Sequence, residues 1–331
     1  MNKIPHNKPW LGEEEAAAVQ RVMQSGFVTK GPETEALEAE LAEFVGAKGA
    51  VAVSSGTAAI HLSLPALGVG TGSRVYIPSY VCTALLNAAN YCGAEPVICD
   101  VDPNTGNMPP EALRESMEDD KRGVIILPHM FGNPARVEEF LETGLPVVED
   151  CAQSIGADIS GQQVGTFGTL AAFSFYATKV ICSGEGGAVV SNDEGLLQSV
   201  RDLRDYDHKP DYKLRFNYKL TDIQAAIARE QLKKLPCFIA RRKEIAARYN
   251  RAADSAGISP MPVNPGSIYF RYIIFVPNRE QAVEYFAGKG ITTAGPVFNP
   301  IHRYLNLPGY PGTEEIYGKA VSLPCFPAMA D

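Results

Sequence analysis

The chain predicts an α/β protein: a large domain with a mainly parallel, mixed sheet flanked by helices, and a smaller C-terminal α+β domain. Short apolar runs alternate with helix-period segments through the first two thirds of the sequence, which is the pattern of repeated strand–helix units. The apolar runs are short and nearly continuous, as in parallel strands covered on both faces. After about Leu203 the texture changes to a long charged and aromatic stretch, then to helices and short strands of a different rhythm.

Residues 13–24 carry Ala16, Val19, Val22 and Met23 at helical spacing, with Gly26 as the stop. Residues 34–45 repeat the pattern with Leu37, Leu41 and Phe44, ending at Gly46. Strands are predicted at 50–53, 75–77, 96–99, 124–127 and 146–148. Helices between them are predicted at 57–67, 81–91, 110–117 and 135–141. Two further strands fall at 170–175 and 187–190. Residues 206–218 read as a long loop. Two helices, 221–235 and 239–256, are split at Pro236, and the second places Arg241, Arg242, Lys243 and Arg248 on a solvated face. A strand at 267–276, a helix at 280–289, a short strand at 291–293 and an extended end at 321–327 complete the smaller unit. The division is therefore expected at 1–235 and 236–331.

Composition narrows the function. Hydrophobic content of 45% and charged content of 21% fit a globular protein, and a net charge of -8 disfavours a nucleic-acid partner. The opening Met1-Asn2-Lys3-Ile4-Pro5-His6 lacks the apolar run of a signal peptide, and no window approaches the roughly 20 apolar residues of a membrane span. The seven cysteines contain no CxxC pair, so reduced thiols in the cytoplasm are expected rather than disulfides or a metal site.

Three features point to chemistry. Val147-Val148-Glu149-Asp150 is a strand with an acid at its carboxyl end. Phe173-Ser174-Phe175-Tyr176-Ala177-Thr178-Lys179 is an apolar strand followed by a lysine. Gly184-Glu185-Gly186-Gly187 is a glycine-rich turn. Each has an ordinary reading: a helix cap or structural ion pair for Asp150, a surface lysine for Lys179, a simple turn for the glycines. Together they are what pyridoxal 5'-phosphate requires: a lysine for a Schiff base, an acid for the pyridine nitrogen, and a turn for the phosphate. Ser54-Ser55-Gly56-Thr57-Ala58-Ala59 opens a helix and is either an anion site or a plain cap. Gln153 could bond a ring oxygen or lie on the surface, and Ser174 could reach a phosphate or simply be a small strand residue. Thr221 is the natural cap of its helix.

These segments resemble the nucleotide-sugar aminotransferase family, a branch of the fold type I pyridoxal phosphate enzymes. The likeness extends to Ser25-Gly26-Phe27-Val28-Thr29-Lys30-Gly31-Pro32, Ser55-Gly56-Thr57-Ala58-Ala59, Val148-Glu149-Asp150-Cys151-Ala152-Gln153 and Asn217-Tyr218-Lys219-Leu220-Thr221-Asp222. The resemblance implies Lys179 as the Schiff-base lysine, Asp150 on the pyridine nitrogen and Gln153 on the ring hydroxyl. It places Gly56, Thr57 and Ser174 on the phosphate. Asn217 would reach the phosphate in a partner subunit, making a homodimer with shared sites, and His302 would lie on the substrate side. Members carry an aromatic ring over the cofactor where Cys82 stands here. Either Tyr80 or Tyr176 then fills the gap, or Cys82 is a small buried side chain. Members also continue into a final helix beyond the position of Asp331, so the expectation is either a trimmed small domain or a sequence that has been shortened.

The implied reaction is transfer of an amino group from glutamate to a keto group of a nucleotide-linked sugar, in two half-reactions. Lysine at 179 argues against the sugar dehydratases of the family, which carry histidine there. The alternatives are amination of a cyclitol or other cyclic ketone, a cysteine desulfurase, for which no cysteine clearly lies on a mobile loop, and a cofactor-binding regulator without turnover.

Overall fold

A computed structural model describes residues 3–117 and 123–330; Met1, Asn2 and Asp331, at the two ends of the sequence, lie outside the described residues. The apolar runs become strands β1 (Gly49–Val53), β2 (Arg74–Pro78), β3 (Glu95–Cys99), β4 (Val124–Pro128) and β5 (Val147–Asp150). A two-strand hairpin, β6 (Asp158–Ile159) and β7 (Gln162–Gln163), precedes β8 (Leu170–Ser174) and β9 (Gly187–Ser191). The main sheet has the order β1-β9-β8-β5-β4-β2-β3. Its strands run parallel except β9, which pairs antiparallel with both β1 and β8. All of β4 and β8 is buried, as their continuous apolar sequences require.

Helices cover both faces. The first two, α1 (Glu13–Ser25) and α2 (Pro32–Val45), match the 3.6-residue pattern and end on left-handed Gly26 and Gly46. Between strands lie α3 (Gly56–Ala66), α4 (Ala84–Tyr91), α5 (Pro110–Ser116), α6 (Val137–Leu141) and α7 (Glu194–Arg204). Helix α4 starts later than its sequence suggests, because 80–83 is held in an irregular turn. In that turn the Val81 N–H reaches the Ser79 carbonyl at 3.0 Å.

The split expected at Pro236 does not occur. Helix α8 runs unbroken over Asp222–Ala256, through Pro236. Proline removes one backbone bond, but Leu235 and Phe238 on either side are buried in the core beneath the sheet, and that packing holds the axis together. The division expected after residue 235 falls inside this helix. Its start is capped by Thr221, whose hydroxyl accepts from the Gln224 N–H. The Asp222 carboxylate meanwhile accepts from Gly31, Glu33 and Thr34, joining α8 to the start of α2.

The last part of the chain forms a three-stranded antiparallel sheet, β10 (Ser259–Pro260), β11 (Tyr272–Phe275) and β12 (Ala320–Leu323), with α9 (Arg279–Gly288), α10 (Ile301–Tyr304) and α11 (Pro311–Lys319). The strand expected over 267–276 is shorter, since 267–271 turns toward the main sheet. There the Ile268 N–H meets the Gly132 carbonyl and the Arg271 N–H meets that of Phe131. The strand expected at 291–293 is a single bridge between Ile4 and Ile291. That bridge starts a strap along the small sheet: His6 bonds Ser322, Asn7 donates to the Thr178 carbonyl at 3.0 Å, and Trp10 stacks on Phe238. No described helix is long and apolar enough to cross a membrane.

Arg242 overturns the solvated-face reading of its helix. It is 2% exposed, and its guanidinium donates to the carbonyls of Phe270 (3.1 Å) and Cys325. It satisfies backbone groups that would otherwise be buried without partners. Arg242→Met should therefore cost about 3 kcal/mol in urea unfolding, against less than about 0.5 kcal/mol for Lys243→Met on the exposed face.

Candidate active site

The carboxyl ends of β1, β2, β4, β5 and β8 share one edge of the sheet, where open α/β folds bind ligands. A cavity of about 220 Å³ opens there. Its walls include Ser55, Gly56 and Thr57 from the start of α3, Val81 and Cys82 from the turn after β2, and Met130 after β4. Asp150, Ala152 and Gln153 follow from β5, and Ser174, Tyr176, Lys179 and Glu185 from β8 and beyond.

One wall presents the open N-terminus of α3. Ser55 is extended and caps α3, its hydroxyl accepting from the Ala58 N–H at 3.1 Å. The Ala59 N–H returns to the Ser55 carbonyl. The N–H groups of Gly56 and Thr57, the first of the helix, have no acceptor among the described residues, and the helix dipole adds to their pull. Gly56 is required by a close approach: a Cβ there would lie 2.7 Å from the Cβ of Ser174. Likewise a Cβ at Gly187 would meet the carbonyls of Phe173 and Ser55 at 2.6 Å. Two missing side chains bring the Ser174 hydroxyl against the helix end. The turn at Gly184–Gly187, expected to hold the phosphate, contributes only Glu185 to the cavity wall. Its backbone instead closes the lysine loop: the Phe175 and Ala177 N–H groups bond the Gly186 and Gly184 carbonyls, with both glycines at positive φ.

The opposite wall carries the ionisable groups. Alternation along β5 sends Glu149 away from the cavity and Asp150 into it. Burial pushes the Asp150 carboxyl up; the Ala152 N–H at 3.0 Å and Lys179 oppose the rise. That N–H engages Oδ1, leaving Oδ2 without a partner among the described residues. Glu149 is fully buried, and burial alone would raise it. His129 and the backbone N–H groups of Gly165 and Gly168 reverse that, so it is held as a carboxylate below its ordinary value. His129 accepts at Nδ1 from the Ala135 N–H, so its proton sits on Nε2 and points at Glu149, 3.0 Å away. Cys151 lies beside this pair, but both Glu149 oxygens and both His129 nitrogens are already engaged, and the set offers no vacant metal ligands.

Lys179 follows a tight turn in which its own N–H bonds the Tyr176 carbonyl. Burial pushes its ammonium pKa down and Arg271 adds to that, against the pull of Asp150 and Cys82. Its Nζ lies 5.7 Å from the centre of the Phe270 ring. Gln153 is oriented by the Phe131 N–H, which donates to Oε1 at 2.9 Å. Phe131 adopts a left-handed φ of 63° that aims this N–H. The Gln153 NH₂ is thereby left to face the cavity.

The remaining expected residues divide. Cys82 is exposed and lines the cavity, as does Tyr176, which is 45% exposed. Tyr80, the other neighbour expected to fill the space beside Cys82, is fully buried edge-on to Phe131. Asn217 is exposed and does not line this cavity. His302 does not line it either: it is 4% exposed, with Nδ1 bonded to Ser79 at 2.6 Å and Nε2 to Glu314 at 2.7 Å. Sequence reasoning missed Phe270 and Arg271, which approach Lys179 from a distant segment, and His6, which bonds Arg271. No local pattern marks them.

The model of the DegT/DnrJ/EryC1/StrS aminotransferase family matches residues 9–331, and the chain belongs to that family. Among similar solved structures is the aminotransferase TlmJ from Streptoalloteichus hindustanus, 31% identical, with a TM-score of 0.93 over 100% of this chain and 95% of that one. Helicobacter pylori PseC, an aminotransferase involved in the biosynthesis of pseudoaminic acid, is 25% identical, with a TM-score of 0.93 over 99% and 95%. Spr1654 from Streptococcus pneumoniae in its PMP form is 25% identical, with a TM-score of 0.92 over 99% and 94%. The chain is accordingly a pyridoxal phosphate-dependent aminotransferase of the fold these proteins share.

Gly56→Ala should weaken pyridoxal 5'-phosphate binding by about tenfold in an absorbance titration, because the added methyl forces Ser174 off the helix end.

Proposed function

We propose that the chain moves an amino group from glutamate to a keto group of a nucleotide-linked sugar, in two half-reactions, as a homodimer with shared active sites. The observation that carries the reading is the convergence of Lys179, Asp150 and the Gly56–Thr57–Ser174 cradle on one cavity. A sugar acceptor is supported by PseC, whose work lies in pseudoaminic acid biosynthesis.

The donor set fits the cofactor. The orphan N–H groups of Gly56 and Thr57 and the Ser174 hydroxyl would hold the phosphate. The vacant Asp150 Oδ2 would accept from the pyridine N–H. The Gln153 NH₂ would donate to the ring oxygen, its direction set by Phe131. When bound, the cofactor supplies a carbonyl for amines and a sink for electrons. Lys179 Nζ then has two tasks: to hold that carbonyl at rest, and to carry a proton to and from the substrate carbon bearing nitrogen. Its lowered affinity for a proton makes the free amine easier to reach, as a proton carrier requires.

Asn217 projects from the outer loop and is offered to a partner's phosphate site. Cys82 and Tyr176 together would cover the exposed ring face, the sulfur packing on one edge. His302 acts at a distance: through Ser79 it fixes the turn that carries Val81 and Cys82.

Borohydride reduction of the yellow protein should fix the cofactor on Lys179 in a peptide map; an adduct on another lysine would overturn the assignment. In a screen of keto-sugar nucleotides and cyclic ketones against the amine-loaded protein, a nucleotide sugar should restore the aldehyde absorbance, while response to a free cyclitol ketone alone would replace the sugar reading. Inactive Lys179→Ala and Asn217→Ala proteins should regain activity once subunits exchange, since one of the two sites in the mixed dimer is intact. Cys82→Phe should keep or tighten cofactor binding, read by titration, while shifting preference among keto substrates.

A further inference from the structure

Resting on the reading of Lys179 as the reactive amine, we propose that Asn7 is a positioning residue for it. The Asn7 side-chain amide holds the peptide that leads into Lys179 and so sets the direction in which the lysine stem leaves the backbone. Asn7 lies 171 positions before Thr178, whose carbonyl accepts from Nδ2 at 3.0 Å.

The lysine loop leaves that carbonyl to be filled from outside. Within the loop, the N–H groups of Phe175, Ala177 and Ser183 bond the carbonyls of Gly186, Gly184 and Phe175, and the Lys179 N–H bonds that of Tyr176 at 2.8 Å. The Thr178 carbonyl takes no backbone N–H among the described residues, and Asn7 is its partner. A peptide unit is planar, with its N–H and C=O on opposite sides. The unit joining Thr178 to Lys179 is thus gripped on one side by the loop and on the other by Asn7. It cannot turn about its long axis while both bonds hold.

Asn7 is itself held without this bond. The Ile4 N–H bonds the Gly290 carbonyl, and the Ile4 carbonyl accepts from the Thr292 N–H, both at 2.9 Å. His6 Nε2 lies 2.9 Å from the Ser322 hydroxyl, and the Trp10 carbonyl accepts from the Gln231 amide at 2.8 Å. Pro5 and Pro9 favour an extended segment, since each fixes its own φ and biases the residue before it away from helix. The segment therefore has anchors on both sides of Asn7. What the Asn7 bond restrains is the loop.

That restraint matters because a lysine stem is flexible along its whole length. Nζ ends about 6 Å from Cα, so a change of about 10° in the Cα–Cβ direction moves it by about 1 Å. Misplacement of that size costs up to about 100-fold where a group must meet a reacting atom. Lys179 must meet two: the cofactor carbonyl at rest and the substrate carbon during proton transfer. Burial lowers the pKa of its amine, and the charged and titratable groups facing it are Asp150 from the end of β5, Cys82 from the turn after β2 and Arg271 just before β11.

The deciding variant is Asn7→Asp, which keeps the shape but lacks the N–H donor; Asn7→Ala removes the donor and adds no charge. In cofactor-free protein, acetylation of Lys179 by acetic anhydride can be followed across pH by peptide mapping. Its midpoint should move upward in both variants, toward that of an ordinary lysine, because a peptide free to turn lets the amine reach water. In holoprotein given L-glutamate alone, the limiting rate of loss of the aldehyde absorbance should fall by about tenfold or more in both. The half-saturating concentration should stay within about twofold of the parent. Asn7→Gln, which keeps the donor, should recover part of the rate. The unfolding midpoint should drop by no more than about 3 °C, since one hydrogen bond is lost from an anchored segment. An unchanged Lys179 profile, an effect confined to the half-saturating concentration, or full activity in Asn7→Asp beside loss in Asn7→Ala would each overturn the assignment. A larger thermal loss would overturn it as well, by showing that Asn7 holds the segment rather than the loop. In unmutated protein the Lys179 amide should exchange with deuterated water far more slowly than an unstructured amide, and free exchange there would show that the peptide is not held. Protein that reacts with no amino acid at all would remove the aminotransfer reading, while the acetylation profiles would still decide the role of Asn7.

Discussion

An enclosed lysine facing an enclosed carboxylate is the interaction on which the rest of this structure depends. Lys179 and Asp150 sit at the ends of neighbouring parallel strands, where desolvation disfavours both charges and each supports the other. The pair holds because nearby groups are already settled. Glu149 is saturated by three backbone N–H groups and His129, so it does not compete for the lysine. The one-residue alternation of β5 separates two acids that would repel if they shared a face. The Asp150 oxygen left open is the acceptor on which the proposed contact with the ring nitrogen rests.

The phosphate side depends on absence of side chains. Gly56 and Gly187 let a helix end, a strand end and the antiparallel β9 meet at distances that a methyl group would forbid. The Gly184–Gly187 run is glycine-rich for this reason and for its loop geometry, and the vacant backbone N–H groups of the cavity belong to the start of α3. A glycine cluster in sequence thus marked the neighbourhood of the cavity, and its backbone there closes the lysine loop.

Much of this was legible from residues alone. The parallel strands were, because continuous apolar runs have few other uses, and so was the cavity, because Asp150, Ser174 and Lys179 end or follow such runs. What escaped depends on tertiary contact. Pro236 looks like a break until the packing of Leu235 and Phe238 is known. Arg242 looks solvated until the carbonyls of Phe270 and Cys325 are brought to it. His302 resembles a substrate residue by position, yet Ser79 and Glu314 engage both its nitrogens. His6 and Arg271 are separated by 265 positions, and no local period reports on such a pair.

The strap at residues 4–10 gives the molecule a mechanical property. Within four residues it grips the small sheet at Ile291 and Ser322 and the lysine loop at Thr178, then anchors at Phe238 in the long helix. It works as a tie-rod. If the small sheet swings away from the large one, tension arrives at the Thr178 carbonyl, one peptide before Lys179, so the reactive amine is displaced or the Asn7 bond breaks. While the Asn7 bond holds, the position of the small sheet and the aim of the lysine are coupled by a segment that reaches the site from far away in the sequence.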